Sequence, residues 1–205
     1  MKALDKTAQS QISPSDAINL LKEGNQRFVE NRKVNRNLME QVNDTSSGQY
    51  PYAVILSCID SRTSSELIFD QGIGDVFNIR LAGNVLNEDA LGSMEYACKV
   101  AGSKLVLVLG HTKCGAVTSA CQKVELGNIT ALLNKIQPAV AEIAQKGLDV
   151  TQPENVQLVA DANVNHVIKG IKEKSEILRE MEANGSIHII GGMYDVSSGL
   201  VTFFN

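Results

Sequence analysis

Three candidate strands, separated by segments with helical character, constrain the fold of this chain more than any other feature. YAVILSC (52–58) is a continuous apolar run, KLVLVLGH (104–111) has five apolar residues in succession, and DVFNIRL (75–81) is the strand between them in the chain. Continuous rather than alternating apolar runs are typical of strands that are covered on both faces, as in a parallel sheet. Because helical segments separate them, we expect right-handed crossovers between the strands. The sequence therefore predicts an α/β fold with a mainly parallel central sheet flanked by helices.

The rest of the chain fits the same scheme. Ser13 or Ser15 is predicted to cap an N-terminal helix, and a polar segment follows over about 31–49. The C-terminal stretch SIHIIGGMYDVSSGLVTFFN is predicted to form two strands around the turn DVSSG. The length of 205 residues predicts a single domain, 1–205, whose N-terminal helical arm spans about residues 1–48. Further helices are predicted over 62–71, about 88–101, from near Cys114, and over about 129–146 and 154–184.

Composition excludes several classes of function. The net charge is -4, tryptophan is absent and aromatic residues make up 4% of the chain. This argues against a nucleic-acid partner, because such sites need clustered cations and stacking rings. No apolar run has the length of a membrane span, so no membrane partner is predicted. The N-terminal MKALDKTAQSQ lacks the apolar core of a signal peptide, and we therefore expect a cytoplasmic protein.

Two of the predicted strands end in residues that bind metal ions. Cys58 closes the first run, and His111 closes the third, with Cys114 three residues later in HTKCG. Ligands in open α/β sheets lie beyond the carboxyl ends of the strands, so these three side chains are expected to meet. Two thiolates and an imidazole suit zinc, and three protein ligands leave a fourth position open, as in catalytic zinc sites. The other cysteines, Cys98 and Cys121, are predicted to be buried packing residues.

A charged pair stands beside the first of these ligands, in the segment CIDSR. Asp60 follows Cys58 by two residues, and Arg62 follows by four. Zinc with two thiolates and a neutral imidazole carries no net charge, so its water is expected to be less acidic than on three imidazoles. Asp60 is predicted to accept a hydrogen bond from that water, and Arg62 to keep Asp60 ionised and oriented. A structural ion pair or helix cap, and Asp60 as a fourth ligand, remain alternatives.

The two motifs CIDSR and HTKCG, in this order, resemble those of the β-class carbonic anhydrases, whose usual form is C-x-D-S-R … H-x-x-C-G. The likeness covers about residues 14–205. Five further segments resemble the family and follow one another in the same order as in the family. They are GNQRF, GDVFNIRLAGN (74–84), SMEYA (93–97), KLVLVLGHTKCGA (104–116) and GGMYDVSSGLV.

The resemblance implies a fold, an assembly and a reaction. It implies four parallel strands plus one antiparallel strand, and a homodimer or homotetramer with the active site at the dimer interface. The implied reaction is reversible hydration of CO2 to bicarbonate and a proton by zinc-bound hydroxide. In it Cys58, His111 and Cys114 bind Zn²⁺, while Asp60 and Arg62 form the catalytic dyad, with Asp60 also a possible fourth ligand in a closed form.

The resemblance extends to substrate-binding positions. Gln49, nine residues before Cys58, matches a substrate-contacting glutamine of the plant-type branch. Leu81 stands where the family usually has asparagine, and Ala82 is smaller than the usual valine. Ile55 replaces the tryptophan of the branch that is inhibited by bicarbonate, so we do not expect that regulation. The other implied positions are Phe77, Tyr96 and Gly115.

Two other functions are compatible with the same three ligands. The first is hydrolysis of carbonyl sulfide or carbon disulfide on the same scaffold. The lining of the substrate pocket should distinguish these substrates from CO2, and Leu81 and Ala82 alter that lining. The second is a structural zinc protein without turnover, which predicts a closed site with Asp60 as the fourth ligand. The presence of Arg62 beside Asp60 argues against this second alternative, because a purely structural site gains little from it.

Overall fold

A five-stranded mixed sheet forms the centre of the computed structural model, which describes residues 2–204. The strands are β1 (Ala53–Ser57), β2 (Val76–Arg80), β3 (Leu105–His111), β4 (His188–Tyr194) and β5 (Val201–Phe203). They lie side by side in the order β2-β1-β3-β4-β5. The first four are parallel to their neighbours, and β5 pairs antiparallel with β4. This confirms the predicted sheet.

Helices cover both faces of the sheet. Within residues 2–204, none of them combines the length and apolar character needed to cross a membrane. Their bounds are α1 (Lys6–Gln11), α2 (Pro14–Val29), α3 (Leu38–Thr45), α4 (Ser65–Ile68), α5 (Glu88–Glu95), α6 (Gly115–Cys121), α7 (Gly127–Leu133), α8 (Gln137–Ala144), α9 (Pro153–Lys174) and α10 (Glu176–Ala183).

The two long helical regions predicted for the second half of the chain are each divided in two. Pro138 lies in the first turn of α8, where its missing N–H costs nothing, but it does not allow α7 to continue. Ser175 separates α9 from α10. Its hydroxyl accepts a hydrogen bond from the Leu178 N–H and donates one to the Glu95 carboxylate at 2.6 Å. This competition with backbone hydrogen bonding is typical of serine at a helix start.

The segments around the first strand also differ from the prediction. The polar stretch 31–49 contains α3, which Asn37 caps by accepting a hydrogen bond from the Glu40 N–H. The helix predicted over 62–71 is confined to α4. At its start, the Thr63 hydroxyl donates to the carbonyl oxygens of Cys58 and Asp60, so the chain forms a tight loop there instead of a helical turn.

The core explains why the strand runs are continuously apolar. Every residue of β1 and β3 is buried. On one face, Val54 and Val106 pack in a cluster with residues of α5, α6, α8 and α9. On the other face, Ile55 and Leu107 pack with residues of α2 and α4. Because both faces are covered, alternate residues along each strand enter different clusters, and the residues before the polar strand ends Ser57 and His111 are apolar or glycine.

Candidate metal centre and active site

The register of the sheet brings the predicted ligands to one edge. Ser57 at the end of β1 is the register partner of Leu109 in β3, so Cys58 follows β1 just as β3 approaches its last residue, His111. Cys114 is the residue that precedes α6 and lies beyond the same end of the sheet. Lys113 has a φ of 56° and makes the sharp turn that leads from β3 into this helix.

Cys58, His111 and Cys114 form a group with the composition of a zinc site. Their ligand atoms all lie within 4.8 Å of one another, and all three residues are buried. The Nδ1 atom of His111 lies 2.9 Å from the carbonyl oxygen of Thr112, an acceptor that directs the proton to Nδ1. Nε2 is buried and has no hydrogen-bond partner among residues 2–204. An imidazole oriented in this way offers Nε2 as a ligand atom, and the donor set fits Zn²⁺.

The two thiols of the group are coupled. A hydrogen bond from Cys114 lowers the pKa of Cys58, and the neighbouring His111 ring and the backbone N–H groups of Asp60 and Gly83 act in the same direction. The same contact with Cys58, together with burial, raises the pKa of Cys114. One negative charge is therefore already favoured at the pair, and a divalent cation favours the loss of the second proton.

A carboxylate held by a guanidinium stands beside this group. Nε and Nη2 of Arg62 donate to Oδ1 and Oδ2 of Asp60 at 2.9 and 2.7 Å, and the Arg62 backbone N–H donates to Oδ1 at 2.9 Å. These hydrogen bonds hold the pKa of Asp60 well below its usual range. Oδ2 of Asp60 lies 3.9 Å from Nε2 of His111. Asp60 therefore stays ionised next to the ligands while Arg62 fixes its orientation.

Arg80 supports the loop that carries these residues, and the sequence reading missed it. Its Nε donates to the carbonyl oxygen of Cys58 at 3.0 Å, and its Nη2 donates to that of Asp60 at 2.6 Å. An arginine at the last residue of the strand was the available signal. The sequence cannot show that its partner is the loop after the neighbouring strand, because the two are joined only through the pairing of β1 with β2.

The substrate-binding positions expected from the resemblance lie in three separate places. Gln49 is exposed and lines a surface hollow with residues 45–48, Ile73 and Gly74. Phe77 and Tyr96 pack edge to face, with ring centroids 6.3 Å apart, and line a second hollow along the edge strand β2. The remaining two lie nearer the candidate metal ligands: Ala82 begins the turn that contacts Cys58, and Gly115 follows Cys114 and begins α6.

Comparisons with known proteins agree with this geometry. The family model described as carbonic anhydrase matches residues 53–201. Carbonic anhydrase 2 of Mycobacterium tuberculosis (strain ATCC 25618 / H37Rv) is 35% identical over 193 residues, which cover 91% of this chain and 91% of that protein. The carbonic anhydrase of Mycolicibacterium smegmatis is 31% identical over 195 residues and covers 92% of each.

Solved structures show the same architecture. The β-carbonic anhydrase CafA of Aspergillus fumigatus matches with a TM-score of 0.74 and 27% identity, covering 93% of this chain and 90% of that chain. One of two tetrameric β-carbonic anhydrases of Sordaria macrospora matches with a TM-score of 0.72 and 24% identity, covering 78% of this chain and 83% of that chain. The sheet with its flanking helices is therefore the fold of these enzymes.

Proposed function

This chain belongs to the β-class carbonic anhydrases, zinc enzymes that hydrate CO2 to bicarbonate, and we propose that its reaction takes place at Cys58, His111 and Cys114 with Asp60 and Arg62 as the catalytic dyad. One observation carries the proposal. Three buried ligand atoms converge within 4.8 Å, and an ion-paired carboxylate lies 3.9 Å from one of them. This combination supplies both a metal site and an acceptor for the proton of a nucleophile.

The three ligands have separate tasks in holding the metal. Cys58 and Cys114 contribute the negative charge, and His111 contributes a neutral donor whose tautomer is set by the carbonyl oxygen of Thr112. A bound zinc ion supplies the Lewis acidity that makes water a nucleophile near neutral pH. Because the two thiolates neutralise the charge of the metal, the neighbouring acceptor becomes more important here than in a site of neutral ligands.

Asp60 is proposed to act as that acceptor. Its side chain is 17% exposed, and both of its carboxylate oxygens accept hydrogen bonds from Arg62. Held in this way, Asp60 accepts a hydrogen bond from the attacking water and aligns its lone pair toward the carbon of CO2. Arg62 keeps Asp60 ionised and prevents it from rotating. A closed form in which Asp60 moves onto the metal as a fourth ligand requires that this ion pair be broken.

The remaining substrate contacts are proposed to involve a second copy of the chain. Gln49 lies in a hollow in which none of Cys58, His111 and Cys114 takes part. The hollow of Phe77 and Tyr96 follows the edge strand β2. We therefore propose a homodimer, alone or within a homotetramer, whose interface completes the site with Gln49, Phe77 and Tyr96 beside Ala82 and Gly115. The plant-type branch and a cytoplasmic location stay predictions.

Stopped-flow measurement of CO2 hydration by the zinc-loaded protein from pH 6 to 9 tests this function. We expect turnover that rises with pH and is lost when the metal is removed by chelation. A protein that binds one zinc per chain and shows no hydration at any of these pH values contradicts the proposal. Carbonyl sulfide, assayed in parallel, reports on the alternative hydrolase activity.

A further inference from the structure

We propose that Asn163 is a positioning residue of the metal centre, which it reaches through the turn at Gly83. The inference rests on the proposed role of Cys58 as a metal ligand. Asn163 lies in α9, 80 positions from Gly83 in the sequence. Its side-chain Nδ2 donates to the carbonyl oxygen of Gly83 at 2.9 Å, and the backbone N–H of Gly83 donates to Sγ of Cys58 at 3.3 Å.

The surroundings of Asn163 indicate that its amide has a specific role. Asn163 is 1% exposed, and the helix around it contributes apolar residues to the core. Burying an amide among apolar side chains destabilises the fold unless the amide is hydrogen-bonded. Five neighbours on α9 are buried and apolar, and they are Val159, Ala160, Ala162, Val164 and Val167.

The backbone of Gly83 links the side chain of Asn163 to the sulfur of Cys58. Its φ is 65°, in the left-handed region that favours glycine. An added Cβ would lie 2.7 Å from Cδ1 of Ile136 and 3.2 Å from Cβ of Ala116, so a larger residue requires the Ile136 side chain to shift as well as a strained backbone. Glycine has the greatest backbone freedom of any residue. Anchoring its carbonyl oxygen to Asn163 therefore restricts the rotation that would turn its N–H away from Cys58.

The Gly83 N–H acts on the sulfur in two ways. It restrains Sγ within the group of ligand atoms, and it withdraws electron density from the thiolate. Outer partners of this kind typically change metal affinity by about 10–100-fold when they are removed. Asn163 is thus the residue that orients a donor to the ligand, and it has no contact with substrate in this role.

The test compares Asn163→Ala with the wild type after loading with zinc or with Co²⁺. We expect the dissociation constant for zinc to rise by about tenfold. We also expect the sulfur-to-cobalt charge-transfer band to move to longer wavelength, because a thiolate without its N–H donor is more easily oxidised. An unchanged dissociation constant together with an unchanged band overturns the inference.

Asn25 provides the matched control. It is also a buried asparagine, 3% exposed, and its Nδ2 donates to the carbonyl oxygens of Ile68 and Gly199, but it lies in α2 on the other face of the sheet. Asn25→Ala should lower stability and leave the zinc affinity and the cobalt band as in the wild type. An equal change in both variants also overturns the inference, because it indicates that loss of any buried asparagine loosens the whole protein and thereby weakens zinc binding.

A smaller substitution covers the case in which Asn163→Ala does not fold. Asn163→Ser keeps a shorter donor, and its cobalt band should move in the same direction; wild-type values for both band and affinity overturn the inference. Failure of the proposed function is a separate result, namely a wild-type protein that binds zinc and does not hydrate CO2.

Discussion

Nε2 of His111 lies 3.9 Å from Oδ2 of Asp60, so a proposed metal ligand and the proposed catalytic carboxylate face each other beyond the carboxyl end of the sheet. Arg62 holds the carboxylate from its other side through both oxygens. This arrangement separates the group that holds the metal from the group that accepts a proton. Variants that affect one group and spare the other can therefore test each role.

Asp60→Asn should abolish most of the activity and spare the metal. The amide keeps the size of the side chain but loses the negative charge that accepts the proton, so kcat/KM for CO2 should fall by about 10²–10⁴-fold. Zinc content, measured by mass spectrometry, should stay at the wild-type level. Asp149→Asn, in an exposed loop, is the control and should retain full activity. Unchanged activity in Asp60→Asn would rule out the dyad mechanism.

Arg62→Lys should reduce activity while the positive charge is preserved. Lysine cannot make the two parallel hydrogen bonds that fix Asp60, and we expect a loss of about 10–100-fold in kcat. Arg32→Lys is a close control, because Arg32 is paired with Glu30, also two positions before it, on the surface. If both variants keep wild-type kcat, the orientation of Asp60 by Arg62 has no role in turnover.

Cys58→Ser should lose zinc. A serine hydroxyl is a poor zinc ligand at neutral pH, so the purified variant should contain much less than one zinc per chain. It should also unfold at a lower temperature, because metal binding stabilises the folded state by mass action. Cys121→Ser changes a buried thiol outside the group and should keep its zinc. Wild-type zinc content in Cys58→Ser would exclude Cys58 as a ligand.

Mixing two inactive variants tests whether the site is shared between subunits. If Gln49 of one subunit serves the dyad of the other, heterodimers of Gln49→Ala and Asp60→Asn contain one intact site. After random exchange of subunits, half of the dimers are mixed and each has one intact site of two. The mixture should therefore reach about a quarter of wild-type activity, above that of either variant alone. Asp60→Asn mixed with Arg62→Lys should show no such recovery, because both changes affect the same dyad. Equal behaviour of the two mixtures argues for a site within one subunit.

The ion cluster around Asp70 should make stability depend on pH. Burial raises the pKa of Asp70, but hydrogen bonds from Arg27, Arg36 and the Val34 N–H outweigh burial, and the pKa lies below its usual value. A lowered folded pKa adds stability above about pH 5, and this stability is lost as the pH falls through the folded pKa.

Asp70→Asn measures this contribution. Asn tolerates the positive φ of 47° at this position, so the substitution mainly removes the charge. We expect a loss of about 3 kcal/mol in the free energy of unfolding at pH 7, because the buried guanidinium of Arg36 loses the negative charge paired with it. In urea titrations, the difference from the wild type should shrink below about pH 4. A difference that is the same at every pH would contradict the charge-based explanation.

Much of the candidate site follows from local patterns. Cys58 and His111 end apolar runs, and parallel strands present their carboxyl ends at one edge, so the meeting of these two residues could be predicted. Arg62 lies two positions from Asp60, and their ion pair is a short-range contact. Such relationships depend on the apolar pattern of a strand and on residues that are close in the sequence, so they can be predicted without the structure.

Contacts between distant segments could not be predicted in this way and depend on how the elements pack. Arg80 reaches the Cys58 loop because β2 pairs with β1 in one register. Asn163 reaches Gly83 because α9 packs against the face of the sheet that carries this turn. An asparagine in a helix and a glycine in a loop have many possible partners.

Strand patterns and short-range contacts were thus enough to predict the sheet, the position of the candidate metal ligands at its carboxyl edge and the pairing of Asp60 with Arg62. The tertiary structure decided which backbone groups hold these side chains in place, and where the long helical regions break. Strand pattern and helix capping act over a few residues, so they can be recognised in the order of the residues. Packing, by contrast, selects one partner among many across 80 positions, as it does for Asn163 and Gly83.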